Sequence, residues 1–275
     1  MSLCLLMSGC IPAGGGKDTD DTQNFTPSPE VKHYYLETQY AYSIPIDESV
    51  LTTGLDSTYL LLANKQWSLG EHYVPADLAD IPANLRVDKQ MQLNARALAA
   101  LQLMMADMAL AGINDTRVTS AYRSYAYQMG LYSNYLDIEQ NTISEDARKH
   151  FGDFYIYTNY TANGLTKLSE EDAKAVVLSY SAYPGTSEHQ SGLCVDFITD
   201  SMTSLDTSFE ESEAFAWLSQ NAYRFGFILR YPMGKESVTG YTYEPWHYRF
   251  VGREAATDIY FSGLTLEEYL GALAA

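Results

Sequence analysis

Apolar side chains at Leu93, Ala97, Leu101, Met104, Met105 and Met108 fall three or four positions apart, and Gly112 follows them. That spacing places them on one face of a helix over residues 89–111, with the methionines as core packing and not a ligand set. The stretch VTSAYRSYAYQ, residues 118–128, begins with β-branched residues and becomes polar and aromatic. It predicts a strand-like entry into a second helix that runs past Tyr135. Residues 139–182 are rich in Asn, Thr, Ser and acidic groups, with one helical piece near Glu170 to Leu178. A polar stretch of this length reads as an insertion lying over a site. Ser208 and Glu211 have the spacing of a capping box, which introduces a helix through Phe215 and Leu218 that stops near Gly226. Residues 227–231 then read as a strand, 232–240 as a turn and 241–250 as a further extended segment, while Thr265 and Glu268 cap a short final helix. Residues 31–85 offer only short extended pieces such as 59–62, and predict an arm. Helices and strands in this mixed order, without a βαβ rhythm, point to an α+β fold with a small antiparallel sheet flanked by helices.

Composition narrows the choice of partners. The chain has 275 residues, 46% of them hydrophobic, enough for one principal core. Its 17 basic residues against 35 acidic give a net charge of −18, which argues against nucleic acid and against an anionic membrane surface. The three cysteines, Cys4, Cys10 and Cys194, are too few for a disulfide framework. Residues 1–10 are apolar and small, and Leu6-Met7-Ser8-Gly9-Cys10 resembles a bacterial lipobox, in which the cysteine is lipidated after cleavage. Residues 11–30 have the Gly, Pro, Ser, Thr and Asp content of a flexible tether. The Ala13-Gly14-Gly15-Gly16 run lies in that tether and is a weak signal for a nucleotide loop.

The chemistry gathers in two short stretches. In PGTSEHQSGLCVDF, residues 184–197, His189 and Asp196 stand seven positions apart. A flat strand would put them on opposite faces, so they reach one ion only if the chain turns between them, and Gly192 is placed to allow that. Two such groups need a third partner to hold a tetrahedral ion. Tyr243-Glu244-Pro245-Trp246-His247 supplies candidates. Pro245 disfavours a helix there, leaving an extended or turned segment in which His247 can bind the ion and Glu244 can stand beside it as a general base.

Taken together, Ser187-x-His189-x-x-Gly192-x-Cys194-x-Asp196 and Glu244-Pro245-Trp246-His247 resemble the zinc D-alanyl-D-alanine carboxypeptidases of bacterial cell walls. That family includes the vancomycin-resistance carboxypeptidases and the LD-carboxypeptidases, and shares the hedgehog/DD-peptidase fold. Residues 120–128 and 225–232 match as well, so the resemblance covers about residues 55–255. It implies that His189, Asp196 and His247 hold one Zn²⁺ and that Glu244 is the catalytic acid and base. Arg123 would stabilise the oxyanion, and Gln128, Ser187 and Tyr231 would hold the substrate's terminal carboxylate or the intermediate. The expected domain order is a lipoprotein-type signal segment (1–10), a tether (11–30), an arm packed on the core (31–85) and the carboxypeptidase domain (86–275). One departure stands out: Cys194 occupies a position where the family usually has alanine.

The resemblance implies hydrolysis of the C-terminal D-alanine of peptidoglycan stem peptides by metal-activated water. The enzyme would be extracytoplasmic and monomeric, touching the membrane only through a lipid anchor at Cys10. Competing readings are an L,D-carboxypeptidase, an L-Ala-D-Glu endopeptidase, a catalytically silent wall-binding module, and a cysteine peptidase using Cys194 with His189 or His247. The last leaves Asp196, Glu244 and Arg123 without a role. His33, His72 and His150 lie in no motif and read as surface or packing histidines.

Overall fold

In a computed structural model of the chain, residues 17–18 and 25–271 are described. The proposed lipidation site, Cys10, and most of the tether lie outside them. The central feature is a four-stranded antiparallel sheet in the order Thr116–Ser120, Cys194–Thr199, His247–Phe250, Phe227–Leu229. This is the small antiparallel sheet flanked by helices that the mixed order of elements predicts.

Strand alternation gives the sheet two unlike faces. Val118 pairs with Phe197, Val195 with Tyr248, and Phe227 with Phe250, and all six belong to the main apolar core. On the other face Ser120 lies across from Asp196, Asp196 from His247, and Cys194 from Arg249. The register shifts between Val118 and Ser120, a bulge at the point where the chain leaves the sheet for the site.

The helix Ala95–Leu110 buries Ala97, Leu101, Met104 and Met108 in the main core. It starts later than the apolar spacing alone suggests. Residues Gln92–Asn94 form a short strand paired with Leu78–Asp80, and the Asn94 side chain accepts hydrogen bonds from the backbone of Arg96 and Ala97. Leu93 is therefore a buried strand residue that falls in phase with the helix stripe. A second correction concerns the helix Glu213–Asn221, whose cap is Ser212, while Ser208 lies inside a 3₁₀ turn, Thr207–Glu211, capped by Asp206. The capping box at Thr265 and Glu268 forms as the spacing requires.

The polar stretch after residue 139 is three short helices, Glu145–Phe151, Asp153–Asn159 and Glu170–Tyr180, closing a separate apolar cluster around Ile156, Ala173 and Val176. Leu60 and Leu62 pack against Ile228, Val251 and Leu266. Residues 59–62 run from a turn into irregular chain and form no strand, and of the 241–250 segment only His247–Phe250 is strand. Among the described residues no helix is long and apolar enough to cross a membrane.

Candidate metal centre and active site

The sequence segment that raised the metal question folds as a 3₁₀ turn, Glu188–Ser191, followed by the strand Cys194–Thr199. Gly192 ends the turn in the left-handed region at φ 68°, where a side chain is disfavoured. An added Cβ would also lie 3.0 Å from Leu78 Cδ2 and 3.1 Å from Pro75 Cγ. The turn reverses His189 over the polar face of the sheet, so His189 and Asp196 meet despite their spacing. His189 Nε2 lies 3.2 Å from Asp196 Oδ2, and His247 Nδ1 lies 2.9 Å from Asp196 Oδ1.

The other nitrogen of each ring is already engaged. His189 Nδ1 lies 2.7 Å from the carbonyl of Ala121, and His247 Nε2 lies 3.0 Å from Glu188 Oε2. Each outer partner accepts the ring proton, which turns the lone pair of the inner nitrogen toward Asp196. Asp196 Oδ1 is buried and has no hydrogen-bond donor directed at it. Each Asp196 oxygen thus faces one imidazole nitrogen, and Oδ1, with no donor, is a buried polar atom that a shared cation would satisfy. Two imidazoles and a carboxylate form a three-ligand set suited to zinc with one position open.

Glu244 reaches the same centre. Its Oε2 is 3.6 Å from His247 Nδ1, and its side chain keeps 16% exposure, so it stands at the edge of the site. Burial pushes its carboxyl up to about 7. Arg123, just beyond the bulged strand, is oriented by Ser120 Oγ, which accepts from Nε at 3.0 Å and from Nη2 at 2.9 Å. Its Nη2 also donates to Asp196 Oδ2 at 3.2 Å.

The expected substrate-binding residues are arranged unequally. Gln128 is buried with its polar atoms in use. Its carbonyl accepts from Arg123 Nη1 at 3.4 Å, and its amide donates to the Ala182 carbonyl at 2.9 Å. It therefore fixes Arg123 and ties down the end of the helical insertion. Ser187 is buried at the start of the turn and does not cap it. The Tyr231 ring packs between His247 and Tyr241, with centroid separations of 4.9 and 4.8 Å. His33 bonds Asp258, in agreement with a packing role.

Glu188 is the residue that motif reading passed over. It is buried beneath His247, and its Oε1 accepts from Arg230 Nε at 2.7 Å and Arg249 Nη1 at 2.8 Å. Arg230 in turn makes a bidentate pair with Glu267 at 2.9 and 2.6 Å, and Glu267 accepts from Asn64 at 3.0 Å. Burial alone would raise the Glu188 carboxyl, but Arg230, Arg249 and His247 outweigh it and hold the group well below the usual carboxylate range. A carboxylate directly before a candidate histidine, together with two arginines near the sheet's end, is the signal that could have pointed to it.

Comparison with known proteins agrees with this geometry. Residues 90–253 match the family model for VanY, D-alanyl-D-alanine carboxypeptidase. The chain belongs to the VanY family. Among its VanY-like relatives is YodJ of Bacillus subtilis, which carries a carboxypeptidase name and is 33% identical over 262 residues, 92% of this chain and 81% of YodJ. The structure resembles that of the LD-carboxypeptidase LdcB, with a TM-score of 0.59 and 33% identity over 78% of this chain and 86% of the other. It also resembles a variant of a vancomycin-resistance VanY D,D-pentapeptidase solved with Zn(II), with a TM-score of 0.57 and 34% identity over 78% of this chain and 99% of the other. The hedgehog/DD-peptidase-like fold expected from the motifs is thus the fold of the VanY family member described here.

Proposed function

We propose that the chain is a zinc carboxypeptidase that removes the C-terminal D-alanine from peptidoglycan stem peptides. The observation that carries this reading is the meeting of His189, Asp196 and His247 on one sheet face, with Glu244 and Arg123 beside them. These side chains would hold the ion through His189 Nε2, His247 Nδ1 and Asp196. When bound, zinc supplies Lewis acidity and brings the acidity of a water molecule toward neutrality.

Glu244 takes the proton of the attacking water and returns it to the leaving amine. Its edge position leaves room for substrate on one side while burial keeps its proton affinity high. Arg123, permanently charged and held by Ser120 and Gln128, donates to the carbonyl oxygen as negative charge builds there. Ser187 and Tyr231 contribute to holding the substrate's terminal carboxylate. No side chain forms a covalent acyl intermediate in this scheme, so β-lactams are expected to inhibit little. The arm and carboxypeptidase-domain boundaries at residues 31–85 and 86–275, the anchor at Cys10, the extracytoplasmic location and the monomeric state belong to the same proposal.

The likeness to LdcB supports a second reading, cleavage of the L,D bond in tetrapeptide stems. Mass spectrometry of a stem pentapeptide and the matching tetrapeptide, each with and without a chelator, separates the two. Loss of one alanine from the pentapeptide alone, abolished by chelation and restored by zinc, is the expected result. Trimming of the tetrapeptide moves the assignment to an L,D-carboxypeptidase, and cleavage of neither peptide overturns both readings.

A further inference from the structure

The metal-facing side of the sheet carries one group that the scheme above does not use. Cys194 is fully buried, yet it belongs to none of the three apolar clusters formed by the described residues. Its chain neighbours Leu193 and Val195 do pack in the main core. Strand alternation puts the thiol on the opposite face, with Asp196 two residues ahead and Arg249 across the ladder. Arg249 is engaged by Glu188 and by the carbonyls of Tyr59 and Leu61, so its guanidinium is committed away from the sulfur. What remains around the sulfur is imidazole: the ligand atoms of His189, Cys194 and His247 all lie within 4.8 Å of one another. A zinc ion bound to a sulfur and a nitrogen spans about 4.4 Å end to end at most, so small side-chain adjustments bring all three donors onto one ion.

A buried cysteine is ordinarily a small hydrophobe, and position alone would not make it a ligand. The second observation is the buried Asp196 Oδ1, which lies 2.9 Å from His247 Nδ1 and makes no hydrogen bond. Three donor atoms thus lie close together, and Asp196 adjoins the two imidazoles among them.

We propose that Cys194 is an additional protein donor to the metal held by His189, Asp196 and His247. The inference rests on the metal site of the proposed function. On binding, the thiol releases its proton to solvent and sulfur supplies both electrons of the new metal–sulfur bond, so no oxidant or reductant is required. Catalytic zinc can expand to five donors, which leaves a place for water beside four protein ligands. A thiolate also biases the site toward zinc and away from magnesium or calcium, which favour oxygen donors.

The test is metal spectroscopy on the full chain, which needs no turnover. In the cobalt(II)-substituted protein a thiolate-to-cobalt charge-transfer band is expected in the near ultraviolet, and zinc-edge X-ray absorption should show one sulfur at about 2.3 Å. Both signals should vanish in Cys194→Ala and persist when Cys4 and Cys10 are both replaced by alanine. Competition with a chromophoric chelator should show zinc affinity falling about tenfold or more in Cys194→Ala, with Cys194→Ser as a second variant should the alanine protein fold poorly. Cobalt d–d bands without the charge-transfer band, with only nitrogen and oxygen neighbours at the zinc edge, would overturn the proposal while leaving the three-ligand site intact. A protein that takes up neither metal would overturn both.

Discussion

Replacing Glu188 by glutamine separates the support of the metal site from general stability. In the native cluster Arg230 and Arg249 face Glu188 and Glu267, and the two positive charges balance the two negative ones. Glu188→Gln leaves a buried net positive charge, and breaking a buried pair costs roughly 3–5 kcal/mol of stability. The amide can keep its carbonyl toward Arg230 and Arg249, but its NH₂ then meets the His247 Nε2 proton where a carboxylate oxygen stood at 3.0 Å. Two donors facing one another disturb the ring whose Nδ1 is to bind the ion. Loss of such an outer partner typically lowers metal affinity about 10–100-fold, or roughly 1.4–2.7 kcal/mol. Glu267→Gln is the control: it unbalances the same cluster yet leaves the Glu188–His247 contact in place. Chelator competition and apo-protein melting, run on both variants, should show two destabilised proteins of which only Glu188→Gln binds zinc weakly. Wild-type zinc affinity in Glu188→Gln would refute the reasoning.

Other outcomes follow from single contacts. Arg123→Ala should lower kcat by about 10²–10³-fold, as loss of one oxyanion donor does, while the protein still binds one zinc. Arg123→Lys should fail to restore the rate, because an ammonium cannot reproduce the contacts to Ser120 and Gln128; full rescue would argue that charge alone suffices. Gly192→Ala forces a side chain into the left-handed region, costing about 1–2 kcal/mol before the contacts with Leu78 and Pro75 are counted. Thermal melting should register a drop of a few degrees, about 2–4 °C for each kcal/mol, and an unchanged melting temperature would contradict the close packing of that turn.

Much of the site was legible because its groups sit in short motifs whose chemistry is specific. His189, Asp196, Glu244 and His247 were identifiable as a set, and Gly192 as the residue permitting the reversal between two of them. The sheet order was not legible, since pairing Asp196 with both Ser120 and His247 depends on contacts between segments far apart in sequence. Glu188 escaped for the same reason: its role exists only once Arg249 arrives from one strand and Arg230 from just past the end of another. Leu93 was assigned to a helix because a strand residue next to a helix can fall in phase with the helical stripe. Gln128, expected from the resemblance to bind substrate, also contacts Arg123 and Ala182, and motif spacing alone does not show those contacts.

The central claim is that Glu244 moves the proton in a reaction carried out at the His189–Asp196–His247 site. Alanine release from a stem pentapeptide by wild type and Glu244→Gln, with zinc content measured on the same samples, tests it most directly. The expected result is one zinc per chain in both proteins and a rate lower by roughly 10²–10⁴-fold in the variant. A variant that carries zinc and turns over at the wild-type rate would contradict the account.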